Sequence, residues 1–288
     1  MITSQVTITP YARRHRRDFL NFLQNDQRLH IHLDWHTVDE WISDPEVPVF
    51  LAYHDRKLTG AIAAAPALGH TTWLRLLALG SAVDTDYLLA ELWSPLRDQL
   101  LSIGVNQIAA LIIQPWMTPH LAALGFAYLD EIVTLRRQGM DVPAPLHNDV
   151  QVRHTDWREV RRIVEIDHAA FVPIWQLSET SLRQAARSAY SFTVAELDGR
   201  MVGYQLSTMY QDGAHLARLA TLPDAQGQGI GGLLIGEMVG QFLRRGVMNV
   251  TVNTQQTNSQ SQRLYQRYGF SPTGLIMPVW SMNIGSPR

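Results

Sequence analysis

The sequence contains no cysteine among its 288 residues. This excludes a disulfide framework, a thiolate nucleophile and a cysteine-based zinc site. No apolar run approaches the ~20 residues that a membrane-spanning helix needs, and residues 1–6 lack the apolar core of a signal peptide. The formal net charge is only −2, so the chain as a whole does not attract nucleic acid or anionic lipid. We therefore expect a cytoplasmic protein with no nucleic-acid or membrane partner.

Several landmarks of the first half of the chain recur in the second half. Gly125-Phe126 recurs 144 residues later as Gly269-Phe270, and Gly104-Val105 recurs 142 residues later as Gly246-Val247. Three strand-like segments also recur, at offsets of 143 or 144 residues. Five landmarks at nearly one offset indicate two copies of one fold.

The link between the copies runs from residue 139 to residue 148. Pro143 and Pro145 interrupt any periodic pattern there. We therefore expect one domain over residues 1–140 and a second over residues 149–288, each long enough to bury a core.

The second copy contains a glycine-rich turn between a strand and a helix. An apolar run, Leu216–Leu222, leads into residues 227–232, four of which are glycine, and helical periodicity follows over residues 233–243. Glycine lets the backbone approach a ligand closely, and the amides at a helix N-terminus attract an anion. The segment therefore predicts a phosphate-binding site.

The glycine spacing excludes two common phosphate loops. The dinucleotide fingerprint needs G-x-G-x-x-G, and the kinase-type loop ends in Gly-Lys-Ser/Thr, and neither pattern is present. The turn instead resembles the acyl-CoA signature of the GNAT acetyltransferase superfamily, Gln/Arg-x-x-Gly-x-Gly/Ala, which Gln226, Gly229 and Gly231 match.

The downstream sequence extends this resemblance in the family's order. A strand over residues 249–254 is followed by Asn258, by Tyr265 within a helical pattern, and by Gly269-Phe270. The resemblance implies an α/β (α+β) fold of two tandem GNAT-like domains. Each would be a mixed, mostly antiparallel sheet, flanked by helices, in which two parallel strands splay apart. The tandem layout is similar to that of mycothiol synthase-like GNAT proteins.

The resemblance also implies acetyl-CoA (coenzyme A) as the cosubstrate. The amides of residues 226–231 and the following helix would hold the pyrophosphate, and the strand over residues 219–221 would pair with the pantetheine arm. The N–H of Leu219 would then face the thioester oxyanion. The implied cofactor contacts are Leu219, Ala220, Thr221, Gln226, Gly227, Gln228, Gly229, Ile230, Gly231, Gly232, Asn258 and Ser261.

Acetyl transfer to an amine requires proton transfer, because an alkyl amine with a pKa near ~10 is mostly protonated at neutral pH. His215 is the first candidate base, since superfamily members can carry a catalytic Glu at this place on the cofactor strand; it could instead be a surface histidine. Glu196 is the second candidate, or a solvent-facing strand residue. Tyr265 is the family-matched donor to the departing thiolate, or a core tyrosine.

The first copy lacks this signature. At the offset of 143, Val83, Asp86 and Leu88 occupy its positions, and Asp84 and Asp86 would repel a pyrophosphate. We therefore expect a degenerate first copy that supports the second or walls its substrate pocket.

Other features leave alternatives open. Phe171 and Trp175 predict an aromatic wall of the acceptor pocket, or simply core packing. The histidines of residues 30–36 could suggest a metal site, but they lie in the degenerate copy, so we expect no metal. The arginines of residues 13–17 are read as a solvated helix face.

The leading hypothesis is an N-acetyltransferase acting on a small-molecule or peptide amine. The alternative is a non-catalytic acyl-CoA-binding module, and transfer to a hydroxyl or of a longer acyl group also fits. A tandem copy can replace a dimer partner, so we expect a monomer or a weak homodimer.

Overall fold

The structure is a computed structural model in which residues 6–25, 28–144 and 149–285 are described. The chain divides into two compact units: unit 1 is Met1–Leu129 with Met277–Arg288, and unit 2 is Asp130–Ile276. Residues 1–5 and Pro145, which enter the expectations about a signal peptide and the link, lie outside the described residues. No helix in the described part of the chain is long and apolar enough to cross a membrane.

Unit 1 is a sheet with an apolar cluster on each face. Its elements are β1 (Thr7–Pro10), α1 (Arg16–Leu23), β2 (Arg28–Ile31), α2 (Val38–Trp41), β3 (Val49–His54), β4 (Lys57–Ala64), β5 (Thr71–Leu79), α3 (Thr85–Ser102), β6 (Gln107–Leu111) and α4 (Met117–Leu124). On β5, Leu77 packs with Leu88 and Leu92 of α3, whereas Leu76 packs with Phe19 of α1. Neighbouring strand residues point to opposite faces, so both helices cover the same sheet.

Unit 2 has the same two-faced construction. The remaining elements are β7 (Ala127–Arg137), β8 (Gln151–His154), α5 (Val160–Ala170), α6 (Glu179–Ser188), β9 (Ser191–Leu197), β10 (Arg200–Tyr210), β11 (Gly213–Thr221), α7 (Ile230–Leu243), β12 (Val250–Gln255), α8 (Ser259–Arg267) and β13 (Phe270–Asn283). Ile163 of α5 and Leu182 of α6 pack with Tyr204 on one face. Ile235 of α7 packs with Val252 on the other.

Among the described residues, each unit combines a parallel strand pair with several antiparallel pairs. In unit 1, β1, β3, β4 and β5 pair antiparallel in that order, and β5 pairs parallel with β6. In unit 2, β8 to β11 pair antiparallel in chain order, and β11 pairs parallel with β12. The predicted fold class, a mixed and mostly antiparallel sheet in each copy, is confirmed.

The compact units differ from the predicted ranges 1–140 and 149–288, because the copies exchange their last strands. In unit 2, β12 pairs antiparallel with β7, with Val252 opposite Leu135. In unit 1, β6 pairs antiparallel with the end of β13, with Ala110 opposite Trp280. The parallel strand of each copy therefore has the last strand of the other copy beside it.

Candidate active site

Strand β11 leaves part of one edge open. β10 pairs with it from Gly213 to Thr221. On the other edge, β12 pairs with residues 214–216 only, although β11 continues to Thr221. The two parallel strands therefore splay, as predicted, and among the described residues no strand pairs with residues 217–221 on this edge. Such an edge can pair with the amides of an extended ligand.

A β-bulge lies where this open edge begins. The β10 partners of Leu216 and Arg218 are adjacent residues, so Ala217 is an extra residue in β11. Strand side chains alternate between faces, and one extra residue resets that alternation. His215 and Arg218 therefore point to the face opposite α7, whereas Leu216 packs in the cluster with α7.

The glycine-rich turn ends at the start of α7. Gly227 and Gly229 have φ values of +79° and +80°, a left-handed conformation that favours glycine. Gly229 is the N-cap, and its carbonyl accepts from Leu233 N at 3.1 Å. The amides of residues 230–232 have no intrahelical acceptor, so the turn presents donors and the positive end of the helix dipole to an anion.

Two further glycines allow α7 and α8 to pack closely. A Cβ added to Gly232 would lie 2.7 Å from the hydroxyl oxygen of Tyr268, and one added to Gly231 would lie 3.0 Å from Leu264 Cδ2. A Cβ added to Gly231 would also lie 3.9 Å from Leu219 Cδ2 and 4.0 Å from Thr221 Oγ1, both on β11. Helix packing thus gives these glycines a role that the sequence did not indicate.

The remaining predicted cofactor residues shape the loop and the helix start. Gln226 Nε2 donates to the carbonyl of Thr221 at 3.2 Å, and Gln228 Nε2 donates to the carbonyl of Asp224 at 3.3 Å. Asn258 caps α8, as predicted, by accepting from Ser261 N at 3.0 Å. The cofactor residues predicted from the sequence therefore lie on β11, the turn into α7, and the first turn of α8.

Tyr265 lies in α8 with 5% of its surface exposed. Its ring packs 5.7 Å from that of Phe270. Burial raises the pKa of the phenol well above 10, and the positive charge of Arg218 opposes that rise. Among the described residues, none forms a hydrogen bond with the hydroxyl group. Tyr265 is therefore a protonated phenol at neutral pH with its donor available.

His215 is half-buried on the same face of β11 as Arg218. Its Nδ1 lies 2.9 Å from Thr251 Oγ1, which in turn donates to the carbonyl of Ala214 at 3.3 Å. A threonine hydroxyl has one proton to donate, so it accepts from Nδ1–H. This arrangement places the lone pair of the imidazole on Nε2, the tautomer that can accept a proton.

Glu196 is not brought together with His215. Arg153 holds its carboxylate, with Nη2 2.5 Å from Oε1. The residues of β10 opposite Glu196 and His215 are Met201 and Thr208, seven positions apart. That separation is about 23 Å along an extended strand.

A buried ionic network next to the site went unnoticed in the sequence. Asp167 has no exposed surface and accepts from Arg218 through both oxygens, at 2.7 and 2.9 Å. Tyr204 also donates its hydroxyl proton to Asp167, at 2.5 Å. The sequence predicts a loop beginning at Asp167, but α5 continues to Ala170, because Asp167 continues the buried face of the helix. That prediction was wrong.

The same network anchors the loop predicted to wall the acceptor pocket. Leu177 N donates to Asp167 at 2.8 Å, and Arg218 Nη2 donates to the carbonyl of Trp175 at 2.6 Å. The Arg218 guanidinium lies over the ring of Phe171, 3.6 Å from its centroid. Arg218 on β11 and Asp167 on α5 thus both hold residues 171–177.

In unit 1, other parts of the chain occupy the positions that correspond to the open edge of β11 and the start of α7. There β6 pairs with β5 only up to Leu74, and β2 pairs with the same edge over Leu76–Leu79, the counterpart of residues 219–222. At the start of α3, the Asp84 carboxylate accepts from Tyr87 N at 2.9 Å. A strand and a capping carboxylate therefore occupy, in unit 1, the positions that correspond to the open edge of β11 and the start of α7.

The histidines of residues 30–36 lie in β2 and in the segment that follows it. His32 Nδ1 lies 2.9 Å from Arg75 Nη1, a cation that disfavours a metal ion. Among the described residues, no group of three or more His, Asp or Glu side chains is placed to hold a metal.

Comparisons with known proteins agree with this geometry. The acetyltransferase (GNAT) family model matches residues 160–270, which include every predicted site residue. A ribosomal protein bS18-alanine N-acetyltransferase from Haemophilus influenzae is 27% identical over 113 residues, covering 39% of this chain and 75% of the relative. A mycothiol acetyltransferase from Acidimicrobium ferrooxidans is 27% identical over 200 residues, covering 59% of this chain and 61% of the relative.

A solved structure has the same double layout. The tandem GNAT protein from the clavulanic acid biosynthesis pathway matches with a TM-score of 0.63 at 15% identity, covering 99% of this chain and 100% of that one. Fold and family match together define a tandem acetyltransferase. Residues 160–270 are a GNAT acetyltransferase domain, and the chain is an N-acetyltransferase.

Proposed function

We propose that this N-acetyltransferase moves an acetyl group from acetyl-CoA directly to the amine of a small molecule or peptide, at a single site in unit 2. The observation that carries the proposal is the open edge of β11 leading into the glycine-rich start of α7. Residues 217–221 can pair with the amides of a pantetheine arm, and the amides of residues 227–232 can bind a pyrophosphate.

In the proposed reaction, acetyl-CoA supplies the acetyl group as a thioester, the amine nitrogen bonds to the carbonyl carbon, and the carbon–sulfur bond breaks. His215 Nε2 accepts the proton that the amine loses, because Thr251 holds the other ring nitrogen as a donor. Tyr265 donates a proton to the thiolate, and the charge of Arg218 favours that release. The N–H of Leu219 stabilises the oxyanion. Glu196 is the weaker candidate base, since Arg153 holds its carboxylate.

Gly229→Asp should abolish acetyl-CoA binding, because it places a carboxylate at the amides that would hold the pyrophosphate. For the wild type, a ligand at 100 times its Kd adds about 2.7 kcal/mol, which is roughly 5–10 °C in Tm for a domain of this size. The measurement is the Tm with and without acetyl-CoA.

Gly246→Asp is the matched control, since Gly246 also has a positive φ, +76°, and nothing within 4 Å of an added Cβ. Both variants lose stability through backbone strain, but only Gly246→Asp should keep the shift. An unchanged Tm of the wild type at saturating acetyl-CoA would refute the proposed site.

Turnover is tested by thiol release from acetyl-CoA with a peptide bearing an N-terminal alanine, an amino sugar and an alkyl diamine as acceptors. We expect release with at least one of them. Binding of acetyl-CoA without release from any of these amines would favour the non-catalytic acyl-CoA-binding module.

Calorimetric titration with acetyl-CoA should give one site per chain. β2 already occupies the edge of β5, and Asp84 caps α3, so the described residues of unit 1 leave open neither this edge of β5 nor the start of α3. A stoichiometry of two would show that β2 can be displaced.

A further inference from the structure

The helix that carries Tyr265, α8, is short and buries few of its own side chains. α8 has nine residues, and Tyr265 is its one buried side chain. A helix of this length is marginal in isolation, so its position depends on tertiary contacts. The contacts at its two ends therefore determine where the phenol lies.

Asp130 holds the segment that leads into α8. Its carboxylate is 8% exposed and accepts from Thr257 Oγ1 at 2.5 Å and from Glu131 N at 2.8 Å. The carbonyl of Glu131 accepts from Gln256 N at 2.8 Å. Thr257 immediately precedes Asn258, the N-cap of the helix.

Arg137 holds the other end. It is 2% exposed, and its Nε donates to the carbonyl of Tyr268, the C-cap residue, at 2.9 Å. Its Nη1 donates to the carbonyl of Gly139 at 2.7 Å, and Nη2 donates to the carbonyl of Asp141. All three nitrogens of the guanidinium therefore have an acceptor.

The charges of these two residues suit the helix dipole, with a carboxylate near the N-terminus and a guanidinium at the C-terminus. Both lie on β7, the last strand of the first sequence copy, which pairs with β12 from Ile132 to Arg137. We propose that Asp130 and Arg137 are positioning residues that hold α8 by both ends and so place the Tyr265 phenol for proton donation. The degenerate copy thus supplies the support for the acid of the other copy, a role that rests on the proposed function.

The test is a double-mutant cycle in the full-length protein. Asp130→Asn keeps the shape of the side chain but can accept from only one of its two donors. We expect it to lower kcat about tenfold to a hundredfold through misplacement of the acid, and Tyr265→Phe to lower kcat about a hundredfold or more. With acetyl-CoA saturating, so that the cofactor contacts of Asn258 and Ser261 on the same helix affect KM and not kcat, the double variant should have a kcat no lower than that of Tyr265→Phe alone. The acceptor is the amine of the panel above that gives the fastest release.

Two controls and a second readout separate positioning from general damage. Thr257→Val should reproduce Asp130→Asn, whereas Glu165→Gln on the exposed side of α5 should leave kcat unchanged. Hydrogen exchange should accelerate in residues 259–267 of Asp130→Asn and not throughout unit 2.

Additive losses in the cycle, or unchanged exchange in α8, would overturn the proposal. If the wild type binds no acetyl-CoA or releases no thiol, the proposed function fails, and the exchange measurement still tests the role of Asp130.

Discussion

Residues 149–288 expressed alone should fail to fold, whereas residues 130–276 should form a stable domain. The first fragment is the second sequence copy and lacks β7, so β12 loses all six of its pairs with that strand. It also loses Ile132 and Leu135, which are 9% and 1% exposed. Each such side chain contributes about 1.5–3 kcal/mol by burial, against a typical total stability of about 5–15 kcal/mol.

The second fragment is unit 2 as the structure divides the chain, and it keeps residues 130–137 of β7, which include all the residues that pair with β12. The two fragments have nearly the same length, so they form a matched pair. Circular dichroism melting and the thermal shift with acetyl-CoA measure the outcome: a cooperative transition and a shift for residues 130–276, and neither for residues 149–288. A cooperative, acetyl-CoA-responsive fragment 149–288 would show that the exchanged strand is dispensable.

The features that the sequence predicted are mostly local. The glycine turn and the helix start at Asn258 depend on residues a few positions apart. The splay between β11 and β12 came from the family resemblance. These predictions held because backbone conformation and capping are determined by near neighbours in the sequence.

The strand exchange was not predictable in the same way. The pattern over residues 128–136 predicts the strand β7, whereas the sequence did not indicate β13. A local pattern does not specify which strand lies beside β7 or β13, since the partners are more than 100 residues away. The sequence did not predict the pairing of the four-residue strand β2 with β5 for the same reason. That pairing covers the edge of β5 that corresponds to the open edge of β11. A repeat in sequence therefore indicates the fold of each copy, but not which copy contributes each strand.

The network of Asp167, Arg218 and Tyr204 was missed for a different reason. Simple alternation along β11 would place Arg218 on the face of Leu216, toward α7, and only the bulge at Ala217 turns it toward Asp167. An arginine within the apolar run of residues 216–222 was the available signal, since a charge buried in a strand requires a partner.

Asp167→Ala should be among the most destabilising single substitutions in unit 2. It leaves the Arg218 guanidinium buried without its counter-charge, and it leaves the Tyr204 hydroxyl and Leu177 N without their acceptor. Breaking a buried pair from one side costs about 3–5 kcal/mol, which corresponds to a fall in Tm of roughly 6–20 °C. Thermal and urea unfolding measure the loss.

Glu179→Ala is the matched control, because it also removes a carboxylate paired with an arginine, Arg183 at 2.6 Å, but at a surface where both side chains are about 40% exposed. An exposed pair contributes about 1 kcal/mol or less, so this variant should melt within a few degrees of the wild type.

Replacing both members of the buried pair, as Asp167→Leu with Arg218→Met, should recover much of the stability lost in Asp167→Ala, since no uncompensated charge remains. It should not recover turnover, because Phe171 and Trp175 lose the arginine that fixes their loop onto β11, and Tyr265 loses the charge that favours release of its proton. Equal losses for Asp167→Ala and Glu179→Ala would contradict this account of the network, and full turnover in the double replacement would remove Arg218 from the proposed reaction.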